Sequence, residues 1–519
     1  MAAPAPPPAP QEATKWVPSV FGGSTLVWVV DPDMQSIARS VRKALELPLL
    51  DNAVDTPQLG SEGQHQTQSY EDTDLSISFL AQGAFNKLYS VTIKTSITSS
   101  LQSSASSATE PNAARPSSSL PSHVLRITLP VDPVYKTLSE VATIEYIQQH
   151  TSIPVPQIYT YNSYASTNDI GFEWMLMEYM PGQQFREIWH DLCWSKKEKV
   201  VDVLAKWHLE MFRLRGTKIG NLYVLGDMRE YLIFDEIGGW IVDEEPPRRH
   251  VIDRVVSMGF FGDPKLQVKG ISKGPYGTPH EWLLTRLHMV IQKTTKRLSG
   301  SSGDSGTDEL DEDDLEDLES LREVAELLLG NLDLFFSEEE DTQSAGAAIT
   351  SEYALTHDDI SLQNLLVCPT SGTLTALIDW ECVSFVPLFK AASFPHVLQS
   401  PNRPDPKPDR ALYATDPVTG RPDDLYFEHL KEWEQTKLRK RFLQAIEGLS
   451  ESGGDEWLHV FNNIVQRKKR DFELAVQQCE VENLLGYRLI RRWIEGLKGG
   501  LGTADSEEDY ESLWDMLSG

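Results

Sequence analysis

Between Leu355 and Glu381 the chain reads LTHDDISLQNLLVCPTSGTLTALIDWE, and four of its polar residues, His357, Asp359, Asn364 and Asp379, could do chemistry together. Leu365-Leu366-Val367-Cys368 and Thr373 to Ile378 predict two short strands around the turn Pro369-Thr370-Ser371-Gly372. A hairpin of that kind brings Asn364, before its first strand, close to Asp379, at the end of its second. One carboxylate and one amide oxygen then converge. That donor set suits Mg²⁺, which takes few protein oxygens and leaves the rest to water and phosphate. Asp359, five residues before Asn364, projects from the same loop and is a candidate base for a substrate hydroxyl. The blander expectations are that His357 is a packed loop histidine, Asp358 a solvated turn residue, and Trp174, Trp189, Trp207 and Trp380 core residues. Glu381, two residues past Asp379, could add to the field around a cation.

The elements that must position these residues fall into two halves. Ser76–Leu80, Leu88–Ile93 and Val124–Leu129 alternate and are rich in β-branched residues, so they predict strands, the last two being antiparallel neighbours across a long loop. Leu138, Val141, Ile144 and Ile147 recur at helical spacing, and the prolines of IPVPQIYTYNSY stop that helix. Phe172–Tyr179 predicts a further strand, ending at Pro181-Gly182. Beyond it, long amphipathic stretches at about 185–213, 278–298, 424–447 and 455–498 predict helices. The expected class is therefore α+β, with a small β-rich N-terminal half and a large, mainly helical C-terminal half. Residues 1–14 read as a Pro/Ala tail, resembling neither a secretory signal nor a transit peptide. Residues 95–122, with eleven serines, and 299–319, a Ser/Gly run passing into acid, read as unstructured loops.

Lys plus Arg total 47 against 77 Asp plus Glu, a formal charge of −30. Such a field repels phosphate backbones and anionic lipid, so no nucleic-acid and no membrane partner is expected. No uninterrupted apolar run approaches the ~18 residues of a membrane span. Cys193, Cys368, Cys382 and Cys479 contain no C-x-x-C pair. A reducing, cytoplasmic setting follows, with neither a zinc knuckle nor a disulfide framework. The acidic insertion could dock a protein partner.

The order of these residues resembles a known superfamily. H-x-D-x-x-x-x-N, a hairpin and a metal-binding Asp form the signature of protein-kinase-like phosphotransferases. The form HDD…QN…IDWE resembles the aminoglycoside phosphotransferase and choline kinase branch, in particular fungal proteins with a phosphotransferase enzyme family domain. GAFNKLYSV, VLRITLP, SEVATIEYIQQHTSIPVPQIYTY, GFEWMLMEYMPG and HEWLL fit the same group, over about 75–400. The resemblance implies a two-lobed fold: an extension 15–74 packed on the small lobe, a small lobe 75–180, a large lobe 181–400 and a helical extension 401–519. It implies that Gly83 lies in the phosphate-covering turn, that Arg126 holds the α- and β-phosphates, and that Glu140 is its ion-pair partner. Arg126 stands where the family has lysine; a guanidinium can still clamp phosphate, bidentately. Lys94 is a rival cation but lies before the long loop. Glu178 and Met180 would meet adenine through backbone groups, with Met177 behind. Asn364 and Asp379 would hold Mg²⁺, and Asp359 would be the catalytic base.

Protein kinases carry Arg between the His and the Asp, and a long activation segment after the metal Asp. Here Asp358 occupies the first place and the short apolar run CVSFVPLFKAASFP the second. The expected activity is thus ATP- or GTP-dependent transfer of a phosphoryl group to a small-molecule hydroxyl. The alternative is a kinase-like nucleotide-binding scaffold with little or no activity. It is motivated by Arg126 and the single-glycine turn. Intact Asp359, Asn364 and Asp379 oppose it.

Overall fold

The computed structural model describes residues 13–18, 24–48, 69–94, 122–228, 240–241, 249–261, 270–299, 312–336, 353–497 and 510–518. The tail at 1–12, most of the Ser-rich loop and residues 300–311 of the acidic run lie outside the described residues. The chain divides into two compact units: Met1–Val17, Leu26–Thr137 and Pro156–Tyr179 form one, and Pro18–Thr25, Leu138–Val155 and Met180–Gly519 the other.

The first unit is built on a six-stranded antiparallel sheet, ordered Ser69–Glu71, Leu75–Gln82, Asn86–Ile93, His123–Thr128, Glu173–Glu178, Ile158–Asn162. The expected pairing across the Ser-rich loop is present, with Val91 opposite His123 and Leu88 opposite Arg126. Alternation puts Leu75, Ile77, Tyr89, Val91, Leu125, Ile127 and Leu176 into one apolar cluster. Each such side chain contributes about 1.5–3 kcal/mol relative to exposure. A helix that periodicity did not flag, Met34–Ala44, adds Ile37, Ala38 and Val41 to the same cluster. Asp33 caps it by accepting from Ser36 N at 2.8 Å, and its Arg42 donates to Asp72 at 2.5 Å, tying the helix to the sheet edge. The helix Tyr135–His150 follows the central strand. Its start is fixed by Glu173, which accepts from Val134 N at 2.7 Å and Thr137 Oγ1 at 2.5 Å. Burial pushes the Glu173 carboxyl up to about 7.

The second unit carries the helices Trp194–Phe212, Pro279–Leu298, Glu312–Leu329, Asp424–Glu447, Gly454–Asn462, Ile464–Glu480 and Leu484–Leu497. One expectation is overturned here. Glu312 to Glu319, assigned above to an unstructured acidic loop, begin a helix, because Leu318, Leu321, Val324, Ala325 and Leu328 form a buried stripe. The acids occupy its first turn, where they complement the helix dipole. The unit also holds a second antiparallel sheet, ordered Arg215–Gly216, Tyr353–Thr356, Ser384–Pro387, Gly220–Val224, His250–Asp253, Trp240–Ile241. Among the described residues no helix is long and apolar enough to cross a membrane.

Candidate active site

The strand Tyr353–Thr356 delivers the chain to the turn His357–Asp359, and the hairpin follows as expected: Leu365–Val367 pairs with Leu374–Leu377, Leu365 opposite Leu377. Gly372 closes the turn at φ +72°, a conformation that glycine adopts without penalty. Gln183–Gln184 pairs with the first strand on its other edge.

Three hydrogen bonds set the geometry. Asn364 Nδ2 donates to the Asp359 carbonyl at 3.0 Å and to Asp359 Oδ2 at 2.8 Å. Both partners are acceptors, so the amide orientation is fixed and its Oδ1 faces elsewhere. Ile378 N donates to the Asn364 carbonyl at 3.0 Å, placing Asp379 one residue beyond that rung. Asp379 takes φ +65°, an uncommon region that Asp tolerates better than most residues; such outliers concentrate at functional sites.

His357 is buried, and burial lowers its pKa, so the ring is neutral. A neutral imidazole offers one donor and one acceptor. Nδ1 accepts from Asp359 N at 3.3 Å and Nε2 donates to the Ile378 carbonyl at 3.4 Å. His357 therefore links the backbone of Asp359 to the residue before Asp379. Trp380 packs edge-on against it with ring centroids 5.0 Å apart. This is the packed loop histidine expected above. Trp174, Trp189, Trp207 and Trp380 are all buried, as expected.

His396 and Lys390 had no signal in the sequence. The half-exposed Asp359 carboxylate accepts from His396 Nδ1 at 3.0 Å. That bond, against partial desolvation, holds the Asp359 carboxyl below its ordinary value. Val397 N donates to the Ile360 carbonyl at 2.7 Å, fixing the His396 segment beside the turn. Asp358 lies in the exposed turn, as expected, but is not merely solvated: Lys390 Nζ sits 3.5 Å from its Oδ2.

The other predicted residues lie as follows. Arg126 is buried in the central strand, between Leu88 and Met175 on the flanking strands. Glu140 is buried in the helix Tyr135–His150. Gly83 N donates to the Asn86 carbonyl at 2.9 Å, closing the hairpin turn. A Cβ at Gly83 would meet nothing within 4 Å, so packing does not require glycine there. The amides of Glu178 and Tyr179 donate to the carbonyls of Gln157 at 2.8 Å and Ser122 at 3.1 Å. Both amides are thus engaged within the unit. Met180 opens the second unit's long C-terminal stretch. Lys94 is bound to Glu71 and to the Asp72 carbonyl at the sheet edge.

Among the described residues no group of three or more His, Cys, Asp or Glu could hold a metal ion. Asn364 and Asp379 each offer oxygen donors, the ligand type that Mg²⁺ takes in small number beside its waters and phosphate ligands. A β-rich unit and a mainly helical unit are joined in one chain, and the latter carries base candidate, amide and carboxylate on one turn and hairpin.

The chain has an α+β fold. No family model matches the chain. A subtelomeric hrmA-associated cluster protein of Aspergillus fumigatus is 23% identical over 283 residues, 50% of this chain and 52% of that protein. The chain thus spans about half the length of the curated relatives it matches. The streptomycin–ATP ternary complex of APH(2")-IIa is similar at 11% identity and a TM-score of 0.34, covering 88% of this chain and 99% of that one. ADP-bound aminoglycoside phosphotransferase APH(2")-Ib is similar at 11% identity and a TM-score of 0.32, covering 80% and 95%.

Proposed function

We propose that the chain is an ATP- or GTP-dependent phosphotransferase acting on a hydroxyl of a small molecule. One observation carries this reading: Asp359 and Asn364 are hydrogen-bonded to each other at 2.8 Å at the root of a hairpin whose second strand leads directly into Asp379. Asn364 Oδ1 and Asp379 would hold Mg²⁺. When bound, that ion neutralises charge on the phosphate oxygens. Asp359 orients the acceptor hydroxyl and takes its proton onto a carboxylate that the His396 bond keeps ionised. Arg126, with Glu140, would serve the phosphates, and Glu178 and Met180 the base. Phosphoryl transfer needs mostly positioning and charge stabilisation, and these groups supply both. The cytoplasm, read from cysteine usage, is the proposed compartment.

The test is binding first, turnover second. Mg-nucleotide bound only to the folded chain should raise its stability by about 2.7 kcal/mol at a hundredfold excess over Kd, visible as a thermal shift. No shift with ATP or GTP, with or without Mg²⁺, would remove the enzyme and the scaffold readings together. Binding without consumption of nucleotide against a panel of hydroxyl compounds would favour the scaffold.

Gly83→Ala refines the nucleotide assignment. Its Cβ enters open space, so stability should change by no more than about 0.5 kcal/mol. Mg-nucleotide affinity should nonetheless fall, because the turn must approach phosphate oxygens closely. Unchanged affinity in this variant would remove Gly83 from the phosphate site.

A further inference from the structure

A cavity of about 380 Å³ opens in the second unit beside the segment 390–402. It lies at the small end of the ~300–1,000 Å³ range of ligand pockets. Its walls carry five cations, Lys390, Arg439, Lys440, Arg467 and Arg470. They face three carboxylates, and the two inner ones are already engaged. Asp471 accepts from Tyr510 Oη at 2.6 Å and Leu513 N at 3.1 Å, and Glu473 is paired with Arg286 and Lys390. The third, Asp515, is exposed. In a chain of net charge −30, a wall with more cations than carboxylates runs against the composition.

The two central arginines are bonded to neutral acceptors. Arg439 is 9% exposed; its Nη2 donates to the Ser400 carbonyl at 2.6 Å and the Ser400 hydroxyl at 3.0 Å. Its Nε is buried without a hydrogen-bond partner. Arg470 donates to the carbonyls of Ala392 at 2.6 Å and Phe461 at 3.0 Å, its guanidinium 4.8 Å from the centroid of the Phe461 ring. Among the described residues neither forms an ion pair. Asp515 acts on Arg439 and Asp471 on Arg470 through space, without direct pairing, and an anion between the two guanidinium groups would offset the desolvation that remains. Burial lowers the pKa of both from its ordinary value, outweighing those carboxylates. Phe394, Phe461 and Leu443 add apolar wall, so the pocket suits a small organic body with an acidic group.

We infer that this cavity binds a small molecule bearing a carboxylate or a phosphate, with Arg439 and Lys440 as its principal charge contacts. The inference stands on the second unit alone and does not depend on the phosphotransferase reading.

The experiment is calorimetric titration of the full chain, at constant ionic strength in a buffer free of phosphate and carboxylate. Citrate and glycerol phosphate are the probes, glycerol and an alkylamine the controls. One or both anions should bind saturably at millimolar concentration and the controls should not; which anion binds separates carboxylate from phosphate recognition. A charge-assisted contact is lost in Arg439→Gln, so affinity should drop about tenfold or more. Lys440→Gln should weaken binding several-fold. Lys440 is exposed, so this variant keeps the test open if Arg439→Gln does not fold. No saturable anion binding, equal binding of the controls, or anion binding untouched by Lys440→Gln and by a folded Arg439→Gln would each overturn the assignment.

Discussion

Asp359→Asn is expected to lower phosphoryl transfer by about 10²–10⁴-fold, roughly 3–5 kcal/mol of barrier, while Mg-nucleotide affinity stays near that of the native chain. The carboxamide keeps the shape of the side chain. Its oxygen can still accept from Asn364 Nδ2, and its NH₂ can turn to His396. Only the capacity to take the hydroxyl proton is lost. Asp379→Asn should behave differently, weakening Mg-dependent nucleotide binding as well as turnover. Asp358→Asn removes only a half-exposed partner 3.5 Å from Lys390, a contact of small worth, and should leave rates within a few-fold. His396→Ala adds a pH readout. The His396 bond is the largest cause holding the Asp359 carboxyl down, so removing it moves that pKa up toward its ordinary value. A base must be deprotonated to work, so the acid limb of the rate profile should shift to higher pH. The readouts are nucleotide consumption, with water as acceptor if necessary, and thermal shift for binding. A dead Asp358→Asn beside a harmless Asp359→Asn would displace the base by one residue. Harmless variants at both positions, with Asp379→Asn inactive, would put the base elsewhere and end this mechanism.

What the sequence made legible follows its physical signals. The strands Asn86–Ile93 and His123–Thr128 alternate with period two, and the hairpin around Gly372 has turn residues between apolar runs, so each announces itself locally. The second sheet does not. Its strands are two to five residues long, too short to show a period, and strands such as Gly220–Val224 and Ser384–Pro387 pair across more than a hundred residues. At Glu312–Glu319 the acidic composition masks the start of a leucine stripe at helical spacing that runs on to Leu328. Asp359, Asn364 and Asp379 are legible together because one turn and one hairpin hold all three. His396 lies 37 residues from Asp359, and only the fold brings it within 3.0 Å.

Arg286→Met should cost the second unit about 3–5 kcal/mol, because it removes one partner from a buried charge network. Arg286 joins two helices: from Pro279–Leu298 it donates to Glu473 at 2.7 Å and to Glu480 at 2.6 and 2.9 Å, both on Ile464–Glu480. Methionine can fill the space against Trp282, over whose ring the guanidinium lies at 4.5 Å, so most of the loss is electrostatic. Glu473 would then keep only Lys390, whose Nζ is 3.2 Å away, and Glu480 would lose the partner that bonds both its oxygens. The pH dependence separates charge from packing. Burial alone would raise the Glu473 carboxyl, but Lys390 and Arg286 together hold it below its ordinary value. A depressed carboxylate stabilises the native chain above the unfolded pKa, and that contribution fades as pH falls through the folded one. Without Arg286, burial pushes the same carboxyl upward, so it protonates sooner. The gap between variant and native chain should thus be widest near neutrality and narrow toward acid, as read from urea midpoints across pH. Adding Glu473→Gln and Glu480→Gln to Arg286→Met should recover much of the loss. A gap independent of pH, with no recovery in the triple variant, would assign the effect to packing. The same network reaches the turn His357–Asp359, since Lys390 also pairs with Asp358. With Arg286 gone, Lys390 is drawn harder to Glu473, and the turn should loosen at Asp358 while Asp359 keeps its bonds to Asn364 and His396.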